Sequence, residues 1–109
     1  MDGWIGVDLD GTLAEYHGWV SELHIGLPIP KMIERIKGWL DKGIKVKIVT
    51  ARAAHGSLVI ETIQRWCIDN IGVPLEVTNQ KDYGMIELWD DRCVQVIPNT
   101  GEPIDKERR

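Results

Sequence analysis

Residues 5–16 read IGVDLDGTLAEY: a short apolar run, two aspartates one residue apart, then Gly-Thr. The run from Trp4 to Val7 is a buried strand candidate that ends at Asp8. Two carboxylates at the end of such a strand repel each other and lose hydration, so the placement needs a compensating partner. What that partner is depends on which other residues reach the same end of the sheet.

Downstream, strand-like and helix-like segments alternate. Between Pro28-Ile29-Pro30 and Gly43, the apolar residues Met32, Ile33, Ile36, Trp39 and Leu40 recur at helical spacing, with Lys31, Glu34, Arg35, Lys37 and Asp41 on the other face. Ile44 to Val49 is a β-branched strand that ends at Thr50. A second helix is expected from Ser57 to Ile71, with Ile60, Ile63, Cys67 and Ile71 inward, stopped by Gly72-Val73-Pro74. Leu75 to Thr78, Met85 to Trp89 and Cys93 to Ile97 are three further strand candidates, and residues 99–109 form a polar tail.

Strands alternating with helices of this length imply βαβ units. The expected fold is therefore α/β, a single compact Rossmann-like domain spanning 1–109, with a mostly parallel sheet flanked by helices. In such sheets ligands bind beyond the carboxyl ends of the strands. Those ends carry Asp8 and Asp10, then Thr50, then Lys81 shortly after the third strand, and Asp90 with Asp91 after the fourth. Four acids facing one crevice require a cation, and Mg²⁺, which takes an all-oxygen shell, suits them. A carboxylate fixed at a strand end can attack phosphorus. A second acid two residues on can protonate the leaving alkoxide and later deprotonate water.

DLDGT at 8–12, the strand-then-Thr of IVTAR at 48–52, Lys81, and IELWDDR at 86–92 resemble, in order, the four motifs of the haloacid dehalogenase superfamily. The resemblance runs from Ile5 to about Ile97. It implies that Asp8 is the nucleophile and a metal ligand, and Asp10 the general acid/base with its backbone carbonyl on the metal. Thr50 and Lys81 would hold the phosphoryl oxygens, and Asp90, ahead of Asp91, would complete the Mg²⁺ site. Gly11, Thr12, Ala51 and Arg52 are the accompanying substrate-binding candidates. Arg52 is equally suited to clamping a phosphate and to pairing with Asp91 or a helix end. An acid at position 10 separates phosphatases of this superfamily from its C–Cl cleaving enzymes, so phosphoryl transfer to water is the expected reaction.

No cap domain fits: residues 14–27 have room for a flap only, and the interval after Thr50 is filled by the second helix. An open site suits a large phosphorylated substrate, or an oligomer in which a neighbouring copy closes the crevice. DLDGTLA, VTAR and DDRCVQV also resemble the phosphatase domain of phage-type polynucleotide kinase 3′-phosphatases, which implies a nucleotide or nucleic-acid 3′-phosphate. No G-x-x-x-x-G-K-[ST] motif for a kinase half occurs. The alternative is a non-catalytic module that keeps the site for Mg²⁺ or phosphate alone.

The remaining features set limits. A formal charge of −4 argues against a broad basic face for nucleic acid, so any polymer contact is local. No apolar run approaches the roughly 20 residues of a membrane span, and no secretory leader is evident, so a cytosolic, membrane-free protein is expected. Cys67 and Cys93 lack metal or redox spacing and are expected to be buried reduced thiols. His17, His24 and His55 lack metal-ligand spacing and are assigned ordinary polar roles. Of five tryptophans, four suit packing, while Trp19 is placed to line the mouth of the site.

Overall fold

The computed structural model describes residues 2–105. Four strands form one parallel sheet in the order β3-β2-β1-β4, with β1 Trp4–Asp8, β2 Lys45–Val49, β3 Glu76–Thr78 and β4 Met85–Trp89. Helix α1, Pro30–Asp41, connects β1 to β2, and helix α2, Ser57–Ile71, connects β2 to β3. This is the Rossmann-like α/β arrangement expected of the alternating pattern.

Each element follows from local chemistry. Pro30 at the first turn of α1 has no N–H to leave unsatisfied. Helix α2 ends where Gly72 takes the left-handed conformation (φ 104°) and its N–H reaches back to the carbonyls of Cys67 and Ile68. Both crossovers step the same way along the sheet, so both helices lie on one face. There Ile5, Val7, Val46 and Ile48 meet Met32, Ile33 and Ile36 of α1 and Val59, Ile63, Cys67 and Ile71 of α2. Val59 takes the inward position expected of Ile60, which is only partly buried.

The opposite face is crossed by an extended return segment, residues 79–84, rather than by a third helix. Trp4 Nε1 donates to Asp82 Oδ1 at 2.8 Å, and Lys47 lies 4.3 Å from the Trp4 ring centroid. Lys47 also bonds Glu76 at 3.1 Å. This segment carries the chain from the carboxyl end of β3 back to the amino end of β4 in six residues.

The fifth strand expected over Cys93–Ile97 does not form. After Asp90, whose Oδ1 accepts from the Arg92 N–H at 2.7 Å, the chain turns away from the sheet. It then pairs with its own return: Ile97 N–H donates to the Glu102 carbonyl and Ile104 N–H to the Gln95 carbonyl. The segment's backbone groups are thus satisfied locally, which removes the need for a sheet edge. Residues 99–104 of the expected polar tail belong to this hairpin, while residues 106–109 lie outside the described residues. Among the described residues no helix is long and apolar enough to cross a membrane.

Candidate active site

Because all four strands are parallel, the carboxyl ends of β1, β2 and β4 open on one side, and a crevice of about 250 Å³ lies there. Asp8, Asp10, Tyr16, Trp19, Thr50 and Arg52 line it, together with Ala51, His55, Asp91 and Arg92. Asp8 comes from the last residue of β1, and Asp90 and Asp91 follow β4. Hydrogen-bonded neighbours in the sheet therefore bring together carboxylates more than 80 positions apart in the chain. One oxygen from each of Asp8, Asp90 and Asp91 lies within 4.8 Å of the others.

The loop after β1 is shaped to permit this. Leu9 and Leu13 are fully buried and anchor it, and the N–H groups of Leu13 and Ala14 donate to the Leu9 carbonyl. Gly11 holds φ at +87°, and a Cβ there would stand 2.5 Å from Asp91 Oδ2. Only glycine allows the two loops this close. The Thr12 hydroxyl lies 3.4 Å from Asp8 Oδ2 and 3.3 Å from Asp91 Oδ1, so it bridges the two acids, donating to one at a time.

The electrostatics of the trio are severe. The Asp8 carboxyl is pushed up from an ordinary 3.8 to about 7, first by burial, then by its hydrogen bond with Asp91 and the charges of Asp90 and Asp91. No lysine or arginine forms an ion pair with these three carboxylates among the described residues. Convergent hard oxygens, high local charge and a proton held against its normal preference are what a divalent cation would relieve, so the donor set fits Mg²⁺. The trio consists of Asp8, Asp90 and Asp91; the Asp10 side chain lines the same crevice outside the trio, and its expected part in the metal site is its backbone carbonyl.

Arg52 accounts for Asp10. Its Nε donates to Asp10 Oδ2 at 2.8 Å and its Nη2 to Asp10 Oδ1 at 3.0 Å, a bidentate pair. Nη1 donates to the carbonyls of Ser21 (3.2 Å) and Glu22 (2.9 Å), and Cζ lies 5.1 Å from the Trp19 ring centroid. Arg52 therefore pairs with neither Asp91 nor a helix end. It fastens the flap to the second acid of the DLDGT loop. Thr50 is buried and its Oγ1 accepts from the Arg52 N–H at 3.2 Å, starting a short 3-10 helix over Ala51–His55 that the sequence reading did not anticipate.

The flap, residues 15–27, is closed at its base by Glu15 N–H to the Leu27 carbonyl and Ile29 N–H to the Leu13 carbonyl. Gly26 lets its two limbs meet, since a Cβ there would be 2.0 Å from the Glu15 carbonyl oxygen. Trp66 Nε1 donates to the Gly26 carbonyl, and His55 Nδ1 lies 2.9 Å from Glu22 Oε2. Trp19 reaches the crevice as expected, and the residue is 58 % exposed.

Lys81 stands apart from this group. It is exposed and lines a separate hollow with Asp82, Tyr83 and Met85, because the return segment runs toward the amino end of β4. The cationic side chains that do line the crevice are Arg52 and Arg92. Arg92 was legible as the residue following the Asp pair, but nothing in its spacing distinguished it from a solvated surface arginine. His55, assigned an ordinary polar role, also lines the crevice. Cys67 is buried, and burial pushes its thiol up to about 11; Cys93, expected to be buried as well, is exposed near Asp90.

No protein-family profile matches this chain. No curated protein matches it either. Among solved structures it is similar to the conserved protein coded by a locus from Bacteroides thetaiotaomicron. The identity is 27 %, covering 87 % of this chain and 80 % of that one, with a TM-score of 0.61. That likeness supports the α/β fold, and the description of the Bacteroides protein names no activity.

Proposed function

We propose that this chain is a Mg²⁺-dependent phosphomonoesterase of the haloacid dehalogenase type without a cap domain. One observation carries the reading: Asp8, Asp90 and Asp91 converge to within 4.8 Å, while Asp10 is held apart by Arg52. Asp8 thus shares the prospective metal site while the Asp10 side chain stands outside it, as a nucleophile and an acid/base require.

Asp8, Asp90 and Asp91 would hold the ion, which when bound offsets their repulsion and draws charge from phosphoryl oxygens. An Asp8 oxygen attacks phosphorus; the bond from phosphorus to the ester oxygen breaks, and Asp10 gives its proton to the departing alkoxide. Asp10 then takes a proton from water, which attacks phosphorus and breaks the bond to Asp8, releasing inorganic phosphate. Asp10 can donate only after Arg52 frees one of its oxygens and that oxygen has taken up a proton from solvent. Arg92 and the Thr50 hydroxyl, with the single Nη2 N–H that Arg52 has left, are the groups available to phosphoryl oxygens, whereas the motif resemblance paired Thr50 with Lys81 in that role. The substrate class suggested by that resemblance is a nucleotide or a nucleic-acid 3′-phosphate.

A non-catalytic Mg²⁺- or phosphate-binding module is the second reading, favoured by the distance of Lys81 from the crevice. The experiment that separates them is hydrolysis of an aryl phosphate with saturating Mg²⁺. Turnover that disappears in Asp8→Asn and on chelation supports the enzyme; no turnover across a broad panel of phosphate monoesters refutes it.

A further inference from the structure

The flap encloses a second hollow behind Asp10. It measures about 300 Å³ and shares Asp10, Tyr16 and Arg52 with the carboxylate crevice. Val20, Ile25 and Leu27 supply its aliphatic walls, and Glu15, His17 and His24 its other polar side chains. In phosphoryl transfer the leaving oxygen lies opposite the attacking one. With Asp8 attacking and Asp10 supplying the proton, the organic part of the ester must pass Asp10, and this hollow is the space it meets.

The lining limits what fits. Arg52 is its only guanidinium among the described residues, and its Nε, Nη1 and Nη2 already donate to Asp10, Ser21 and Glu22. Glu15 and Asp10 repel an anionic group, and the His17 ring is already paired with Glu15 at 3.0 Å, which leaves His24, among the described residues, as the one imidazole facing the space without such a partner. A polyol would gain little from the apolar surface of Tyr16, Val20, Ile25 and Leu27, which a ring covers and removes from water. An uncharged planar ring satisfies both limits and packs on the aliphatic side chains and the Tyr16 ring. The volume is about twice that of a 150 Å³ cavity that accepts one benzene, enough for a ring and its linker.

We propose that this hollow is the leaving-group subsite and selects monoesters of alcohols carrying an uncharged planar ring. The inference rests on the phosphatase reading above. The test compares 2-phenylethyl phosphate with glycerol 1-phosphate, both primary alkyl esters, so leaving-group reactivity is matched. Wild-type protein with Mg²⁺ is expected to favour the ring ester by about tenfold or more in kcat/KM, the scale on which apolar pockets discriminate. Leu27→Trp, at a position 69 % exposed, fills the hollow and is expected to collapse that ratio. Val20→Trp, 67 % exposed, is the second variant should the first fold poorly.

Equal kcat/KM for the two esters in wild-type protein overturns the subsite and leaves the phosphatase reading intact. A ratio unmoved by either folded variant also overturns it. If neither ester turns over, the phosphatase reading fails instead, and the hollow is judged by titrating 2-phenylethanol into labelled protein. Methyl shifts at Val20, Ile25 and Leu27 would support ring binding there, and unshifted methyls would overturn it.

Discussion

Replacing Asp8 by Asn in protein held in chelator is expected to stabilise the fold above neutral pH while removing the nucleophile. The folded Asp8 carboxyl sits at about 7 against an unfolded value near 3.8. Between those values the folded state binds more protons than the unfolded chain, so stability falls as pH rises from about 4 to 7. The full shift corresponds to roughly 4 kcal/mol at 1.36 kcal/mol per pH unit. Because Asp8 is only partly buried, solvent screening reduces this to about 2–3 kcal/mol. For a chain of this size that is a rise of about 8–15 °C in Tm for Asp8→Asn at pH 8, shrinking to about 2 °C near pH 4. The assay is thermal or urea unfolding of both proteins from pH 4 to 8 in EDTA, repeated with Mg²⁺. Added Mg²⁺ should raise wild-type stability at pH 8 and affect the variant much less. A gap that does not change with pH, or a less stable variant at pH 8, would refute the reasoning.

Other perturbations have distinct signatures. Arg52→Ala removes a bidentate pair to Asp10 and both flap carbonyl bonds, and should cost about 2–4 kcal/mol in urea denaturation, with Arg52→Lys recovering only part because it cannot fork. Gly26→Ala drives a Cβ into the Glu15 carbonyl, so limited proteolysis should cut within residues 15–27 faster than in wild type. Ile36→Ala empties a fully buried position under the sheet and should lose about 2–5 kcal/mol, read as a lower urea midpoint. Native protein treated with a maleimide should label Cys93 and spare Cys67, with both labelled in denaturant.

The strand ends were legible because apolar runs stop abruptly at Asp8, Thr50 and Asp90. The αβ order then placed those stops on one side of the sheet. Helix α2 was expected from Ser57 to the stop at Gly72-Val73-Pro74, and its observed limits coincide with that segment. Contacts between residues distant in the chain were not legible. The Asp10–Arg52 pair spans 42 positions and no local pattern encodes it. The Cys93–Ile97 run has strand composition, yet its hydrogen-bond partners lie a few residues downstream, so composition alone misplaced it. Lys81 was assigned by its position between strands, which cannot show that the return segment crosses the bare face of the sheet and carries the side chain away. Ile60 and Val59 are both apolar and adjacent, and only the packing angle of α2 decides which one faces inward.

The most direct measurement is the ¹⁹F NMR spectrum of the protein with Mg²⁺ and beryllofluoride, which mimics a phosphoryl group on a carboxylate. Wild-type protein should give a bound resonance that is lost in Asp8→Asn and on adding EDTA. Free beryllofluoride alone at saturating Mg²⁺, or a bound signal that persists without Asp8, would contradict a phosphoryl-accepting Asp8 at a metal-dependent site.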